Sequence, residues 1–141
     1  METLVSIIIR TYNNKKTILR CIESALNQEF NNIELIIIND GSNDSTSKII
    51  NNISDSRIKV VTQLNVGPTL AAYKGIENSR GNFVIFLDAD DTFMPGAILG
   101  LLEPFQDKAY SFSYCDYLET NIETHVSKYI SLTNFWNILA C

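Results

Sequence analysis

The chain has 141 residues, with 11 Lys and Arg against 16 Asp and Glu and a formal charge of −5. This length suits one domain over residues 1–141, and the acidic balance argues against binding to nucleic acid or to an anionic lipid surface. The three cysteines, Cys21, Cys115 and Cys141, are widely spaced and His125 is the single histidine, so neither a disulfide framework nor a zinc site is expected.

No segment of the sequence is typical of a membrane protein. The longest apolar runs fall well short of the ~20 residues that a bilayer span needs. The first three residues lack the charged start and long apolar stretch of a signal peptide. We therefore expect a cytoplasmic protein.

Apolar strands and amphipathic helices alternate along the chain. Strands are predicted at residues 4–9, 34–38, 58–62, 83–87 and 109–115. Helices are predicted between them, at residues 15–28, 45–53, 68–80 and 95–105, the last cut short or kinked by Pro104. The alternation predicts an α/β fold with a mostly parallel sheet and helices on both faces.

Two of these elements carry predictions about packing. The fourth strand, residues 83–87, is wholly apolar and is expected to be buried on both faces. The third helix is expected to face the sheet with its larger apolar side chains and one alanine, namely Leu70, Ala71, Tyr73 and Ile76.

The C-terminal part of the sequence, from residue 116, has the weakest pattern. Residues 117–120 could pair with a later strand, and residues 130–140 have helical spacing of their apolar positions. Exposed apolar side chains there predict either loose order or burial in a contact between copies of the chain; they are Tyr129, Ile130, Phe135 and Trp136.

Three carboxylates, Asp88, Asp90 and Asp91, follow the fourth strand within four positions. Ligands of open α/β sheets bind at the carboxyl ends of the strands. Mg²⁺ and Mn²⁺ prefer oxygen ligands, and one or two carboxylates together with substrate phosphates commonly hold them. The cluster therefore predicts a metal site that serves a diphosphate. The alternative is that Asp90 and Asp91 only cap the helix near Pro95.

Polar residues also follow the first two strands, at 10–13 and 39–44. Asp40 could accept a hydrogen bond from a ring N–H such as that of uracil, or only from the backbone of its own turn. Tyr12 could stack on a base, or only line the rim of the core.

Several common sites are not supported by the sequence. It has no G-x-G-x-x-G after a strand, no P-loop, no complete EF-hand loop and no G-x-S-x-G elbow for hydrolysis.

Four blocks in order resemble the nucleotide-binding half of the family 2 glycosyltransferases, an inverting group with the GT-A fold. They lie at residues 5–13, 39–46, 65–67 and 81–91. The resemblance covers about residues 4–118 and leaves 119–141 unassigned.

The resemblance implies roles for five residues. Thr11, Tyr12, Asp40 and Asp88 would bind the nucleotide, with Tyr12 stacked on uracil and Asp40 at its edge. Asp88 and Asp90 would hold Mg²⁺ or Mn²⁺ on the diphosphate. The implied reaction is attack of an acceptor hydroxyl on the anomeric carbon of a UDP-sugar, with the metal stabilising the leaving diphosphate.

The sequence departs from the family at two positions of the donor site. Arg10 stands where many members have proline or threonine, and Ala72 stands where many have an arginine. Lys74 or Arg80 could supply the missing positive charge.

The family's general base follows the acidic motif, and no matching motif occurs before Cys141. Four carboxylates are available there but none matches, so no catalytic residue is assigned; they are Asp107, Asp116, Glu119 and Glu123. The alternative to a glycosyltransferase is therefore an inactive nucleotide-sugar-binding module. In the first case a glycan or lipid-linked acceptor is expected, and the cytoplasmic protein could lie peripherally at the inner face of the membrane.

Overall fold

The computed structural model describes residues 3–106, 113, 117–121, 124 and 126–130. The chain divides into two compact units, Met1–Pro95 and Gly96–Cys141. The single domain expected over residues 1–141 stays a prediction. No described helix is long and apolar enough to cross a membrane.

The first unit contains four strands and three helices in alternation. The strands are β1 (Val5–Thr11), β2 (Ile33–Asp40), β3 (Ile58–Gln63) and β4 (Phe83–Asp88). The helices are α1 (Ile18–Leu26), α2 (Thr46–Asn51) and α3 (Pro68–Glu77).

All four strands are parallel and pair in the order β3-β2-β1-β4. Parallel crossovers are right-handed, so α1 and α2 lie on one face of the sheet, and α3, whose connection runs the other way, lies on the opposite face. The mostly parallel sheet with helices on both faces is confirmed.

The two central strands, β1 and β2, form the core. Their isoleucines and the leucine and valine beside them are fully or almost fully buried, which fits strands covered on both faces. Both strands extend two residues beyond the predicted ends. Arg10 pairs with Asp88, and Asp40 pairs with Gln63. Polar residues that were predicted to lie in loops therefore form the last paired positions of these strands.

The prediction that the fourth strand is buried on both faces is wrong. Val84 and Phe86 are 39% and 47% exposed, whereas Leu87 is 5% exposed. The reason is that β4 is the edge strand of the described sheet, while α3 packs on β1 and β2. An apolar run does not reveal how many neighbours a strand has.

The prediction for the inner side of α3 is also wrong, except at Ala71. Leu70, Tyr73 and Ile76 are 57%, 60% and 48% exposed, and the buried residues of the helix are Ala71 and Gly75. A Cβ at Gly75 would lie 2.3 Å from Cγ2 of Ile8. The helix therefore approaches the sheet too closely for a larger side chain on its inner face.

The second unit contains α4 (Ala97–Leu102), a 3₁₀ turn (Glu103–Gln106), β5 (Tyr117–Thr120) and β6 (Ser127–Ile130). Pro104 lies in the 3₁₀ turn, so its predicted truncation of the helix is confirmed. The strands β5 and β6 are antiparallel, which confirms that residues 117–120 pair with a later strand. The strand predicted at 109–115 lies outside the described residues apart from Ser113. Ile130 belongs to β6, and the rest of the helix predicted at 130–140 is also outside them.

Candidate functional site

A pocket of about 290 Å³ opens at the carboxyl end of the sheet. The chain leaves β1 toward β2 on one side and returns to β4 on the other, so the strand order reverses here, which is where open α/β sheets bind ligands. Four chain segments line it, with residues Arg10, Thr11, Tyr12, Asn14, Asp40, Asn65, Gly67, Pro68, Ala71, Asp88, Ala89 and Asp90. All five residues predicted for the site are therefore brought together.

Arg10 and Asp88 form an ion pair across β1 and β4, through Nη2 and Oδ1. The parallel register places the two residues opposite each other, with their side chains on one face of the sheet. The guanidinium also lies 5.9 Å from the ring centre of Phe86. Its Nε is buried and has no hydrogen-bond partner among the described residues. The pocket thus contains one fixed positive charge beside its carboxylates.

The acidic segment turns sharply after β4. The N–H of Asp91 donates to the carbonyl of Asp88 at 2.9 Å, and the side chains of Asp88 and Asp90 are exposed. Burial raises the pKa of Asp91, and the negative charges of Asp90 and Asp88 raise it further. Negative charge is therefore concentrated at this end of the sheet, where a cation would be stabilised.

The capping alternative for Asp90 and Asp91 finds no support. The helix after Pro95 is α4, which begins at Ala97 behind a left-handed Gly96, and no side chain caps its first turn in the described part of the chain.

Asp40 holds the loop between β3 and α3. Its Oδ1 accepts hydrogen bonds from Gln63 Nε2 at 2.8 Å and from the N–H of Val66 at 3.0 Å. Its Oδ2 accepts from the N–H of Gly67 at 2.9 Å. Burial works against ionisation, but these hydrogen bonds outweigh it and lower the pKa of Asp40. A carboxylate has about four acceptor directions, so one on Oδ2 remains for a ligand.

The backbone at position 41, directly after Asp40, requires a glycine. It has φ +75°, and a Cβ there would lie 2.8 Å from the nitrogen of Asn65. This close approach brings the loop that contains Asn65 and Gly67 to the pocket.

Thr11 and Tyr12 form the side of the pocket at the end of β1. Thr11 is buried and donates from Oγ1 to Oδ1 of Asn14 at 3.1 Å, and the N–H of Tyr12 donates to the same oxygen at 3.0 Å. The side chain of Tyr12 is 47% exposed. An exposed aromatic face at the pocket wall offers a surface on which a planar ring can stack.

Among the residues that the structure describes, no three His, Cys, Asp or Glu side chains converge as a ready metal site. Mg²⁺ and Mn²⁺ do not need such a set when substrate phosphates complete their coordination. The oxygen donors of Asp88 and Asp90, in a region of concentrated negative charge, fit a hard divalent cation of this kind.

Arg10 is the positive group of the site and was not predicted as such from the sequence. Lys74 pairs with Glu77, and Arg80 pairs with Glu34 before the start of β4, at the other end of the sheet. The position of Arg10 could have indicated this role, because Arg10 lies one residue beyond the predicted end of the first strand. The register of the sheet places that position opposite Asp88.

Asn14 and the loop at 65–68 were also missed as pocket residues. Residues 65–67 had entered only as a block of the family resemblance, because no polar cluster was identified after the third strand, although the end of that strand lies at the same edge of the sheet.

The parallel sheet with helices on both faces and the pocket at the strand-order reversal define an α/β protein of the GT-A type. The family model described as glycosyl transferase family 2 matches residues 6–139. The chain therefore belongs to glycosyltransferase family 2.

One relative is the Escherichia coli UDP-Glc:alpha-D-GlcNAc-diphosphoundecaprenol beta-1,3-glucosyltransferase WfaP. It is 40% identical over 81% of this chain and 46% of its own length. The first curated relatives are all longer proteins, of which the chain spans between 19% and 46%.

Two solved structures have similar folds. S. aureus TarS residues 1–349 in complex with UDP-GlcNAc matches 74% of this chain and 31% of that chain, with TM-score 0.67 and 28% identity. The Pyrobaculum calidifontis mannosyltransferase PcManGT, in complex with GDP-Man and Mn²⁺, matches 63% of this chain and 28% of that chain, with TM-score 0.59 and 21% identity.

Proposed function

We propose that this chain is the donor-binding part of an inverting, metal-dependent glycosyltransferase that uses a UDP-sugar. The observation that carries the proposal is the pocket itself, which joins an exposed aromatic ring, a buried carboxylate and two exposed carboxylates at one end of the sheet. The UDP-sugars in the names of WfaP and the TarS complex support uridine as the base.

The base and the diphosphate would occupy opposite sides of the pocket. Tyr12 would stack on the uracil, and Asp40 would accept its ring N–H through the acceptor direction left on Oδ2. Thr11 would contact the nucleotide at the end of β1. Because Asp40 also fixes the loop at 65–67, the base side of the pocket is already shaped before the nucleotide arrives.

Asp88 and Asp90 would hold Mg²⁺ or Mn²⁺ against the diphosphate, with Asp88 also near the ribose. A bound metal supplies positive charge that stabilises the leaving diphosphate. One oxygen of Asp88 already accepts a hydrogen bond from Arg10, so its other oxygen would face the metal. Arg10 would contribute a second positive charge toward the phosphates. It would thereby replace the arginine that many family members have at the position of Ala72.

The acceptor hydroxyl would attack the anomeric carbon from the side opposite the diphosphate and lose its proton to a general base. No described residue is assigned that role. The name of WfaP includes a diphosphoundecaprenol-linked acceptor, which supports a lipid-linked glycan acceptor at a membrane surface. The second candidate function is a nucleotide-sugar-binding module without transfer activity.

The proposal is tested by titrating UDP into the chain in a calorimeter, with Mn²⁺ and then with EDTA. We expect binding that strengthens at least tenfold with Mn²⁺, and an Asp90→Ala variant in which Mn²⁺ makes little difference. Glu23→Ala is the matched control, because it also removes an exposed carboxylate but lies outside the pocket. No UDP binding with Mn²⁺, or the same metal effect in Asp90→Ala, would contradict the site.

Turnover by the chain alone tests whether it contains a general base. Hydrolysis or transfer of a radiolabelled UDP-sugar by the chain alone is expected to be absent or very slow, because the family's base is not matched. Rapid transfer to an added acceptor would show that a base lies within residues 1–141.

A further inference from the structure

A row of polar side chains on and just beyond α1 binds the backbone of the acidic segment, residues 88–94. Ser24 Oγ accepts a hydrogen bond from the N–H of Phe93 at 3.0 Å. Gln28 Nε2 donates to the carbonyl of Met94 at 3.0 Å. Ser24 and Gln28 lie four residues apart and therefore on one side of the helical turn.

The same row continues toward β4. Arg20 Nη2 donates to the carbonyl of Asp90 at 3.2 Å, and Cys21 Sγ donates to the carbonyl of Asp88 at 3.4 Å. Four side chains on and just beyond α1 thus contact four backbone groups of residues 88–94.

The side chains of Ser24 and Gln28 are themselves held by further hydrogen bonds. Gln28 is 6% exposed and also donates to the carbonyl of Ser24 at 3.2 Å. Ser24 Oγ donates to the carbonyl of Cys21 at 2.7 Å while it accepts from Phe93. Neither side chain can turn away without loss of two hydrogen bonds, so the row is rigid.

The acidic segment needs such support for an electrostatic reason. Asp88, Asp90 and Asp91 place three carboxylates within four positions, and like charges this close repel one another. No regular secondary structure holds residues 91–94. A segment that had to be ordered by its ligand would bind that ligand more weakly.

We propose that Ser24 and Gln28 are positioning residues for the metal-binding carboxylates. They hold the backbone of residues 88–94 so that Asp88 and Asp90 face the pocket before nucleotide and metal bind. This inference rests on the proposed function for its metal role, but the holding of the segment can be measured without any ligand.

The experiment uses the full chain with Ser24→Ala and Gln28→Leu, each of which removes the hydrogen bonds with little change in volume. Ser24→Thr keeps the hydroxyl and should restore the wild-type result. Ile33→Val is the stability control, because it removes a buried methylene at the amino end of β2, far along the sheet from the pocket.

Two quantities are measured: amide hydrogen exchange at residues 88–94, and the Mn²⁺ concentration that half-saturates the enhancement of UDP binding. In Ser24→Ala and Gln28→Leu we expect faster exchange confined to this segment. We also expect the half-saturating Mn²⁺ concentration to rise about fivefold, as for one lost hydrogen bond, with UDP binding in EDTA unchanged. Ile33→Val should lower the Tm without either effect.

Unchanged exchange at residues 88–94 would overturn the proposal, and so would faster exchange with an unchanged Mn²⁺ requirement. An equal effect in Ile33→Val would also overturn it, because general loss of stability would then explain the result. If the wild-type chain binds no UDP, the proposed function fails, and exchange alone decides whether Ser24 and Gln28 hold the segment.

Discussion

The two ends of the parallel sheet both contain buried or partly buried carboxylates, but they use them differently. At the amino end, Glu34 accepts hydrogen bonds from Ser6 Oγ and the N–H of Arg80, both at 2.6 Å, and from the Arg80 guanidinium at 2.9 and 3.0 Å. Ser6 Oγ in turn accepts from the N–H of Gly81 at 2.8 Å. Every oxygen of this network has a partner.

At the carboxyl end, the acidic segment carries more negative charge than its surroundings neutralise. Arg10 engages one oxygen of Asp88, while Asp90 and Asp91 add two further carboxylates nearby. Burial works against ionisation of Glu34, yet hydrogen bonds from Ser6 and Arg80 lower its pKa, whereas the pKa of Asp91 is raised. The hydrogen bonds of the amino end therefore stabilise the fold, whereas the proposed function gives the carboxyl end a ligand that brings positive charge.

The largest expected effect is on the amino end. Glu34→Ala should lower the free energy of unfolding by about 3 kcal/mol, because Ser6 and the backbone of Arg80 lose hydrogen bonds to a charged group. Urea unfolding measures it. Glu77→Ala, which breaks only the exposed pair with Lys74, should change the free energy by about 0.5 kcal/mol or less. Equal losses in the two variants would mean that the amino-end network is not a stabilising element.

A smaller effect is expected at Arg10 in the pocket. Arg10→Met releases Asp88 for the metal and removes the fixed positive charge. The ratio of UDP affinity with Mn²⁺ to that with EDTA should therefore rise about fivefold, or about 1 kcal/mol, as measured by calorimetry. A ratio that falls would show that Arg10 assists metal binding instead of competing with it.

The smallest effect concerns pH, and it has opposite signs at the two ends. The pKa of Glu34 is below its ordinary 4.5, so its stabilisation is present above pH 4.5 and is lost as the pH falls through the folded-state pKa. The pKa of Asp91 is above its ordinary 3.8, so its favourable contribution is present below pH 3.8 and is lost as the pH rises through the folded-state pKa.

Two variants separate these contributions in urea unfolding between pH 3 and 7. Glu34→Gln should flatten the loss of stability in acid. Asp91→Asn should stabilise the chain at pH 7 by a few tenths of a kcal/mol, a small figure because solvent screens the partly exposed carboxylate. A destabilised Asp91→Asn variant would mean that the carboxyl end is not under repulsion.

The sheet, and the meeting of the candidate site residues at one of its edges, could be predicted from the sequence because both depend on local pattern. Apolar runs ending in Asp40 and in Asp88 placed the strand ends, and the parallel arrangement placed those ends at one edge. In the structure, the hydrogen bonds between strands continue past the apolar runs and include polar residues that border the pocket, such as Arg10. A pattern of apolar residues does not identify these positions.

The predictions failed where the outcome depends on the neighbours of an element. The exposure of Phe86 follows from the edge position of β4, which the strand's own residues do not encode. The inner face of α3 is set by the close approach of Gly75 to Ile8, which favours the smallest residues over the apolar stripe. The network of Glu34, Ser6, Arg80 and Gly81 joins residues up to 75 positions apart and has no signature in sequence spacing.

The central claim, that one end of the sheet binds the donor and the other stabilises the fold, is tested most directly by UDP titrations of Asp90→Ala and Glu34→Ala with Mn²⁺. The account predicts that Asp90→Ala loses the Mn²⁺ enhancement and keeps its stability, while Glu34→Ala is destabilised and binds UDP like the wild-type chain. Loss of the Mn²⁺ enhancement in the still-folded Glu34→Ala variant, or its retention in Asp90→Ala, would contradict the account.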